Sequence, residues 1–212
     1  MTTASSASAI PFRSNRFLQI LLALFLVVWL WSAIRPAIPE DWLLENLLVF
    51  VLLALLAATY PRLTFSDLSY SLIFMLLFLH EFGAHYQYSD VPLGEWLKPF
   101  LQTERNHYDR LVHFAFGLLF AYPQREILLR KAELRAGWLN VLPIFTTLAL
   151  SASYEMIEAV VASIVDPTDA AAFLGSQGDQ WDSQEDMFMA LSGATVAMLA
   201  VWIANQSRKP KQ

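Results

Sequence analysis

The sequence predicts an all-α integral membrane protein, a bundle of six transmembrane helices with both termini in the cytoplasm. Three observations predict it. Hydrophobic residues make up 56% of the chain and charged residues only 16%, where an ordinary soluble domain carries about 25% charge. The apolar residues gather into runs that approach or reach the roughly 20 residues needed to cross a hydrocarbon core. The lysines and arginines are segregated along the chain in the alternating way that cytoplasmic loops require.

The elements follow in order. Residues 1–12 (MTTASSASAIPF) are small and polar and read as a disordered tail. Arg13 and Arg16 then precede the apolar run from Phe17 to Ile34. That run is longer than a signal-peptide core of roughly 7–15 residues. The residues after it, Arg35 to Glu40, lack a small-x-small cleavage pattern, so the segment reads as a retained span. Spans are expected near 17–34, 42–60, 68–88, 107–124, 138–165 and 183–205, forming one domain over 13–206 before a basic tail at 207–212. Pro36, Pro39, Pro61, Pro92, Pro99, Pro123 and Pro167 fall between or at the edges of these segments, where helix breakers belong. Pro143 lies early in the fifth span, as a potential kink. Ser183 suits an N-cap, with Glu185 and Asp186 in the following turn. No internal repeat is evident.

Orientation follows from the basic residues. With the termini, second loop and fourth loop on one side, that side holds ten of the 14 lysines and arginines; Arg35, Lys98, Arg105 and Arg110 are the other four. The richer side is cytoplasmic, so the third and fifth loops face outward. The loop 166–182 carries Asp166, Asp169, Asp179 and Asp182 and no basic residue. No basic stripe interleaves with aromatics, which argues against single-stranded nucleic acid as a partner. The chain has no cysteine, so disulfides, thiolate metal sites and cysteine nucleophiles are excluded.

Polar residues at helical spacing converge on the outer side. Glu81, His85 and Tyr88 are spaced i, i+4, i+7 at the end of the third span. In the fourth, Asn106, Asp109 or Arg110, and His113 share a face, with Gly117 one turn deeper. The fifth carries Ser151, Tyr154, Glu155 and Glu158 in its outer half. Asp182 and Asp186 stand i, i+4 at the start of the sixth, and Gly193 permits close helix approach. An ionisable group at mid-bilayer costs at least about 2.5–3.5 kcal/mol, so these groups are expected to face one another in a shared outer pocket.

Each feature has a plainer reading. The pairs Glu81–His85 and Asp109–His113 suit a metal, but equally suit structural hydrogen bonding between helices. His80-Glu81 through His85 has three residues after the glutamate where the zinc-protease motif has two. Arg105 and Arg110 suit a phosphate or carboxylate, or simply neutralise Asp109, Glu155 or Glu158. The turn Gly175–Asp179 lacks the lysine of a phosphate-binding loop. Trp96, Trp181 and Tyr86 fit an outer aromatic belt. Glu45 reads as snorkelling or paired near the outer interface, and Ser151 and Ser153 as helix glue.

The blocks HEFGAHYQY (80–88), RNHYDRLVHFAFG (105–117), SYEMIE (153–158) and LGSQGDQWDSQEDM (174–187) closely resemble the YjdF-like family of bacterial inner-membrane proteins. The resemblance implies an inner-membrane location and brings no established activity. A weaker likeness is to VanZ-like membrane proteins, linked to glycopeptide-antibiotic resistance and envelope functions. Those share an acid-basic-x-x-His-Phe element similar to Asp109–Phe114, with acids matched by Glu155 and Asp186. Where they usually have asparagine four residues after the last aspartate, this chain has Ala190.

The leading expectation is a membrane-embedded, metal-dependent enzyme acting on a lipid-linked or envelope substrate. Glu155, Glu158, Asp109 and Asp182 are its candidate acid–base residues. Glu81, His85, His113 and Asp186 are candidate ligands of a divalent metal. Arg105, Arg110, Tyr88, Gln177 and Asp179 are candidates for holding the substrate. The alternative is a non-catalytic, VanZ-like protein that binds an envelope lipid or antibiotic. A purely structural network ranks third. Transport ranks last, since carriers place their sites near the midplane between repeats.

Overall fold

A computed structural model describes residues 10–165 and 174–207. The described residues form seven α-helices and no strand. They are α1 (Arg16–Ser32), α2 (Pro39–Thr59), α3 (Asp67–Tyr86), α4 (Pro92–Leu101), α5 (Tyr108–Lys131), α6 (Trp138–Ile164) and α7 (Asp182–Ser207). Short 3-10 turns precede α1 and follow α3. The expected tail at 1–9, the basic tail at 208–212, and Asp166 and Asp169 lie outside the described residues.

Four helices, α2, α3, α6 and α7, are long and apolar enough to cross a membrane, and α1 is a shorter apolar helix of 17 residues. Leu26 and Val27 on α1, Val51 and Leu55 on α2, and Leu199 and Ile203 on α7 are all exposed. So much apolar surface is what lipid contact requires and water opposes.

The long helices alternate in direction. At one end, the Ala37 N–H before α2 donates to the His85 carbonyl at the end of α3. At the other end, Asn15 before α1 donates to the Tyr60 hydroxyl after α2. There too Glu126 of α5 accepts from the Ser66 N–H and hydroxyl at the start of α3, at 2.9 and 2.8 Å. Helix α5 is the centre, packing on α3, α6 and α7, while α1 packs on α3.

Small residues set the closest crossing. A Cβ at Gly117 would lie 1.9 Å from the Ala190 carbonyl oxygen, and one at Gly193 would lie 2.1 Å from that of Phe114. Two glycines facing opposite backbones let α5 and α7 touch. This brings Asp109 and His113, two turns and one turn above Gly117, beside Asp186, two turns above Gly193 on α7, with Asp182 one turn further.

The structure corrects several expectations. Helix α5 passes through Pro123 and continues to Lys131 instead of ending at 124. Proline removes one backbone bond, but the extra turns carry Glu126 and Arg130, which tie α5 to the loop before α3. Pro92 and Pro99 lie between the long spans as expected, but within a short helix, α4, in which Pro92 takes the first-turn position, where its missing N–H costs nothing, and Pro99 lies inside. Leu93, Trp96, Leu97, Phe100 and Leu101 had the spacing of an amphipathic helix all along. Ser183 is not the N-cap, since α7 already begins at Asp182. Helix α3 stops at Tyr86 because Gln87 takes a left-handed conformation, φ 58°. Tyr88 therefore leaves the stripe with Glu81 and His85.

Candidate functional site

Four helix ends converge where α5 begins. Asp109 and His113 lie one turn apart on α5, and the Asp109 Oδ1 is 3.6 Å from the His113 Nε2. The same Nε2 is 3.6 Å from Glu155 Oε1 of α6. Asp186 of α7 completes the cluster: ligand atoms of Asp109, His113 and Asp186 all lie within 4.8 Å of one another. His113, Glu155 and Asp186 are buried. Neither 3.6 Å separation is a hydrogen bond. Glu155 Oε1 and Asp186 Oδ1 are buried without a hydrogen-bond partner in the protein, although such groups are normally satisfied.

That geometry suits a cation. Ligand atoms around one ion at roughly 2.0–2.2 Å stand about 3–3.5 Å apart, close to the separations about His113. The donor set, an imidazole among carboxylates, is that of Mn²⁺ or Zn²⁺ sites. Glu158, one turn along α6, interacts with Glu155 and Tyr154.

Asp182 plays a different part. It pairs with Arg105, which also donates to the Ser176 carbonyl. Arg110 contacts Asp179 at 2.6 Å, Glu185 at 2.7 Å and Asp182 at 3.5 Å. The direct contacts of the two arginines are therefore to acids of the α7 approach, and neither pairs directly with Asp109, Glu155 or Glu158. Outside the spans, the Trp181 N–H and then Arg110 hold the Asp179 carboxyl below its ordinary pKa. The Gln177 side chain is committed as well, accepting from the Asn106 N–H at 2.9 Å and donating to its carbonyl at 3.0 Å. Gln177 and Gly178 sit at φ 50° and 85°, the turn that the glycine punctuation announced.

Glu81 and His85 belong to another network. The Ser32 hydroxyl of α1 donates to Glu81. His85 Nδ1 lies 2.9 Å from the Ser32 carbonyl, and its ring packs 4.4 Å from that of Trp31. These two do not join the cluster of Asp109, His113 and Asp186. Tyr88 turns back so that its hydroxyl meets His80 Nδ1 at 2.6 Å. His80 Nε2 in turn approaches Glu45, which accepts from the Tyr154 hydroxyl at 3.1 Å. Glu45 is thus buried and paired, not snorkelling.

Sequence reasoning placed Tyr154 on the shared outer side but missed Glu45 and His80 as members of the site. Their signal was present: Glu45 is an acid inside an apolar span, the costliest place for one. A cavity of about 340 Å³ runs from His80, Tyr88, Asp109, His113 and Tyr154 into an apolar interior lined by α2, α3, α5 and α6.

Residues 17–207 match the family described as Predicted membrane protein (DUF2238). The chain is 42% identical over 186 residues to the Inner membrane protein YjdF of Escherichia coli (strain K12), covering 86% of this chain and 88% of that protein. No solved structure matches. The chain therefore belongs to the DUF2238 family of membrane proteins, together with the inner-membrane protein YjdF.

Proposed function

We propose that this protein is a membrane-embedded, metal-dependent hydrolase of the bacterial inner membrane. A divalent cation sits among Asp109, His113 and Asp186, and the substrate is lipid-linked. One observation carries the reading: two buried carboxylate oxygens, on Glu155 and Asp186, lack hydrogen-bond partners beside the His113 imidazole. Leaving such groups unsatisfied costs about 1–3 kcal/mol each, more when charged. A cation removes that cost.

The chemistry follows from the donor set. A divalent ion held by Asp109, His113 and Asp186 would supply an acidic water and polarise an oxygen of the substrate. Glu155 Oε1 would take the proton of the attacking water and return it to the lipid oxygen as the ester or phosphoester bond to that oxygen breaks. Arg105 and Arg110 hold the α7 approach in register and are spent on Asp179, Asp182 and Glu185. Recognition of the substrate therefore falls to the cavity and the metal.

In this reading α1 and α5 span with the other four long helices, both termini are cytoplasmic, and the site opens on the periplasmic side. The basic residues at the opposite end, Arg62, Arg125, Arg130 and Lys131, support that orientation.

Elemental analysis of protein purified in mild detergent tests the site. Wild type is expected to retain a near-stoichiometric divalent metal, and Asp186→Asn and His113→Ala are expected to lose it while staying monodisperse. A metal-free wild type that also takes up neither Mn²⁺ nor Zn²⁺ on dialysis would refute the proposal. Alkaline phosphatase inserted after Gly178 is expected to be active; an inactive fusion beside an active cytoplasmic reporter there would reverse the orientation.

A further inference from the structure

The cavity has a second feature, its direction. Its polar end is the cluster just described, and its far walls are hydrocarbon: Leu48 and Leu52 of α2, Phe116 and Phe120 of α5, Leu150 and Ile157 of α6. Three of these, Leu48, Leu150 and Ile157, are 38, 47 and 50% exposed. A cavity whose wall residues are also surface residues opens sideways. Here that surface belongs to α2 and α6, two helices apolar and long enough to cross a membrane.

Helix α2 packs mainly on α3, and α6 on α5 and α7, so the two flank a cleft floored by α3 and α5. At the polar end the Tyr154 hydroxyl reaches across from α6 to Glu45 of α2. Below that bridge the lining is apolar apart from the hydroxyls of Ser151 and Ser153. Water gains nothing by filling such a space, since each molecule needs polar partners. The medium outside is lipid, and what fits is a flexible chain.

We infer that this cleft is a lateral binding site for the hydrocarbon chain of a membrane amphiphile. The chain lies between Leu48 and Leu150, and a head group bearing a hydroxyl reaches the carboxylate oxygen of Asp109 that the cation would leave free. The Asp109 carboxylate lines the polar end, where the hydroxyls of Tyr88 and Tyr154 already meet His80 and Glu45. The head is therefore matched by donors such as hydroxyls, while burial of the chain supplies affinity. The inference deepens the hydrolase reading by naming how its substrate arrives, and it rests on that reading only for the identity of the head-group site.

A long-chain fatty alcohol carrying a photoactivated diazirine in its chain tests it, with wild-type protein in lipid nanodiscs. Labels mapped by mass spectrometry are expected on the segment holding Phe116 and Phe120 and on the Leu150–Ile157 face. Leu150→Trp and Leu48→Trp, on opposite walls, each fill the opening and are expected to lower the Phe116–Phe120 label about tenfold, the scale of an overpacked pocket. Leu199→Trp, exposed on α7, should leave it unchanged. Label spread evenly over Val27, Leu199 and the cleft, or undiminished in both tryptophan variants, overturns the inference. Metal content measured on the same samples separates the two claims. Labelling of the cleft in a protein without metal retains the chain site and refutes the hydrolase. Bound metal with an unlabelled cleft does the reverse.

Discussion

The two ends of α5 each bury acid, and they treat it in opposite ways. At the cytoplasmic end in our orientation, Glu126 accepts from the Ser66 N–H, the Ser66 and Ser69 hydroxyls, and Arg130. Each of its two oxygens has at least two donors. At the other end Asp109, Glu155 and Asp186 crowd one imidazole, and two carboxylate oxygens face it without a donor. A fold that can satisfy a buried carboxylate this fully at one end has no packing reason to leave others bare at the opposite end. The first is a clamp between α5 and the start of α3; the second is where we propose a cation.

The strongest way to break the comparison is to separate α5 from α7, because both the cluster and its order depend on that crossing. Gly117→Val places side-chain atoms against the Ala190 carbonyl, a backbone group that cannot rotate aside. Overpacking costs about 1–3 kcal/mol in ordinary cores and more where nothing can move. Folded yield and thermal midpoint should both collapse; a variant of wild-type stability would show that the helices do not meet at these glycines.

Next in size is the clamp. Glu126→Ala strands the Ser66 N–H and the Ser69 hydroxyl, both inside the protein, at about 1–3 kcal/mol for each unsatisfied group. Arg130 is 41% exposed in its side chain and water can resolvate it, so the salt bridge adds little. Glu155→Gln at the opposite end should differ in sign. Without metal it removes charge from a crowded cluster and is expected to leave the thermal midpoint unchanged or raise it. If Glu155→Gln destabilises the apo protein as much as Glu126→Ala does, the cluster is structural and the distinction fails.

Metal addition sharpens the same contrast. At a free concentration of 100 times Kd, a ligand specific for the folded state stabilises by about 2.7 kcal/mol. Mn²⁺ or Zn²⁺ should therefore raise the thermal midpoint of wild type and of Glu126→Gln, and leave Asp186→Asn where it was. A rise in Asp186→Asn equal to that in wild type would place the ion elsewhere.

The length of the apolar runs carried most of this architecture, for a physical reason. Lipid demands long apolar runs, and the bounds of α2, α3, α6 and α7 fall within a few residues of the runs at 42–60, 68–88, 138–165 and 183–205. Helical spacing likewise placed Asp109 with His113 and Asp182 with Asp186, since neighbours i, i+4 on a helix meet whatever the fold. Partners across helices were not legible. Glu81 and His85 satisfy the same spacing yet turn to Ser32 and Trp31, because the rotation of α3 about its axis depends on what α1 presents. Tyr88 leaves the stripe of Glu81 and His85 through one left-handed residue, Gln87, with no glycine to announce it, yet it still lines the cavity. Glu45 and Tyr154, 109 positions apart, are joined only by the packing of the whole bundle.

The smallest expected effect concerns the polar strap outside the bundle, where Asp179 meets Arg110. Its carboxyl is held below the ordinary value by the Trp181 N–H and then by the guanidinium. A depressed acid stabilises the folded loop above its unfolded pKa of about 4, and that contribution disappears as pH falls through the lower folded value. Between neutral pH and about 5 the loop should therefore hold steady, and below about 4 it should loosen. Limited proteolysis of the 174–182 segment reads this directly, with cleavage accelerating only in the acid range. Asp179→Asn should shift that behaviour to neutral pH, giving faster cleavage there and a flatter acid profile, while metal content stays at the wild-type level because Asp179 lies outside the cluster. Cleavage in Asp179→Asn that keeps the wild-type acid dependence would assign the titration to another carboxyl. Loss of metal along with it would mean that the strap and the cluster form one unit, and that Arg110 does more than hold the approach to α7.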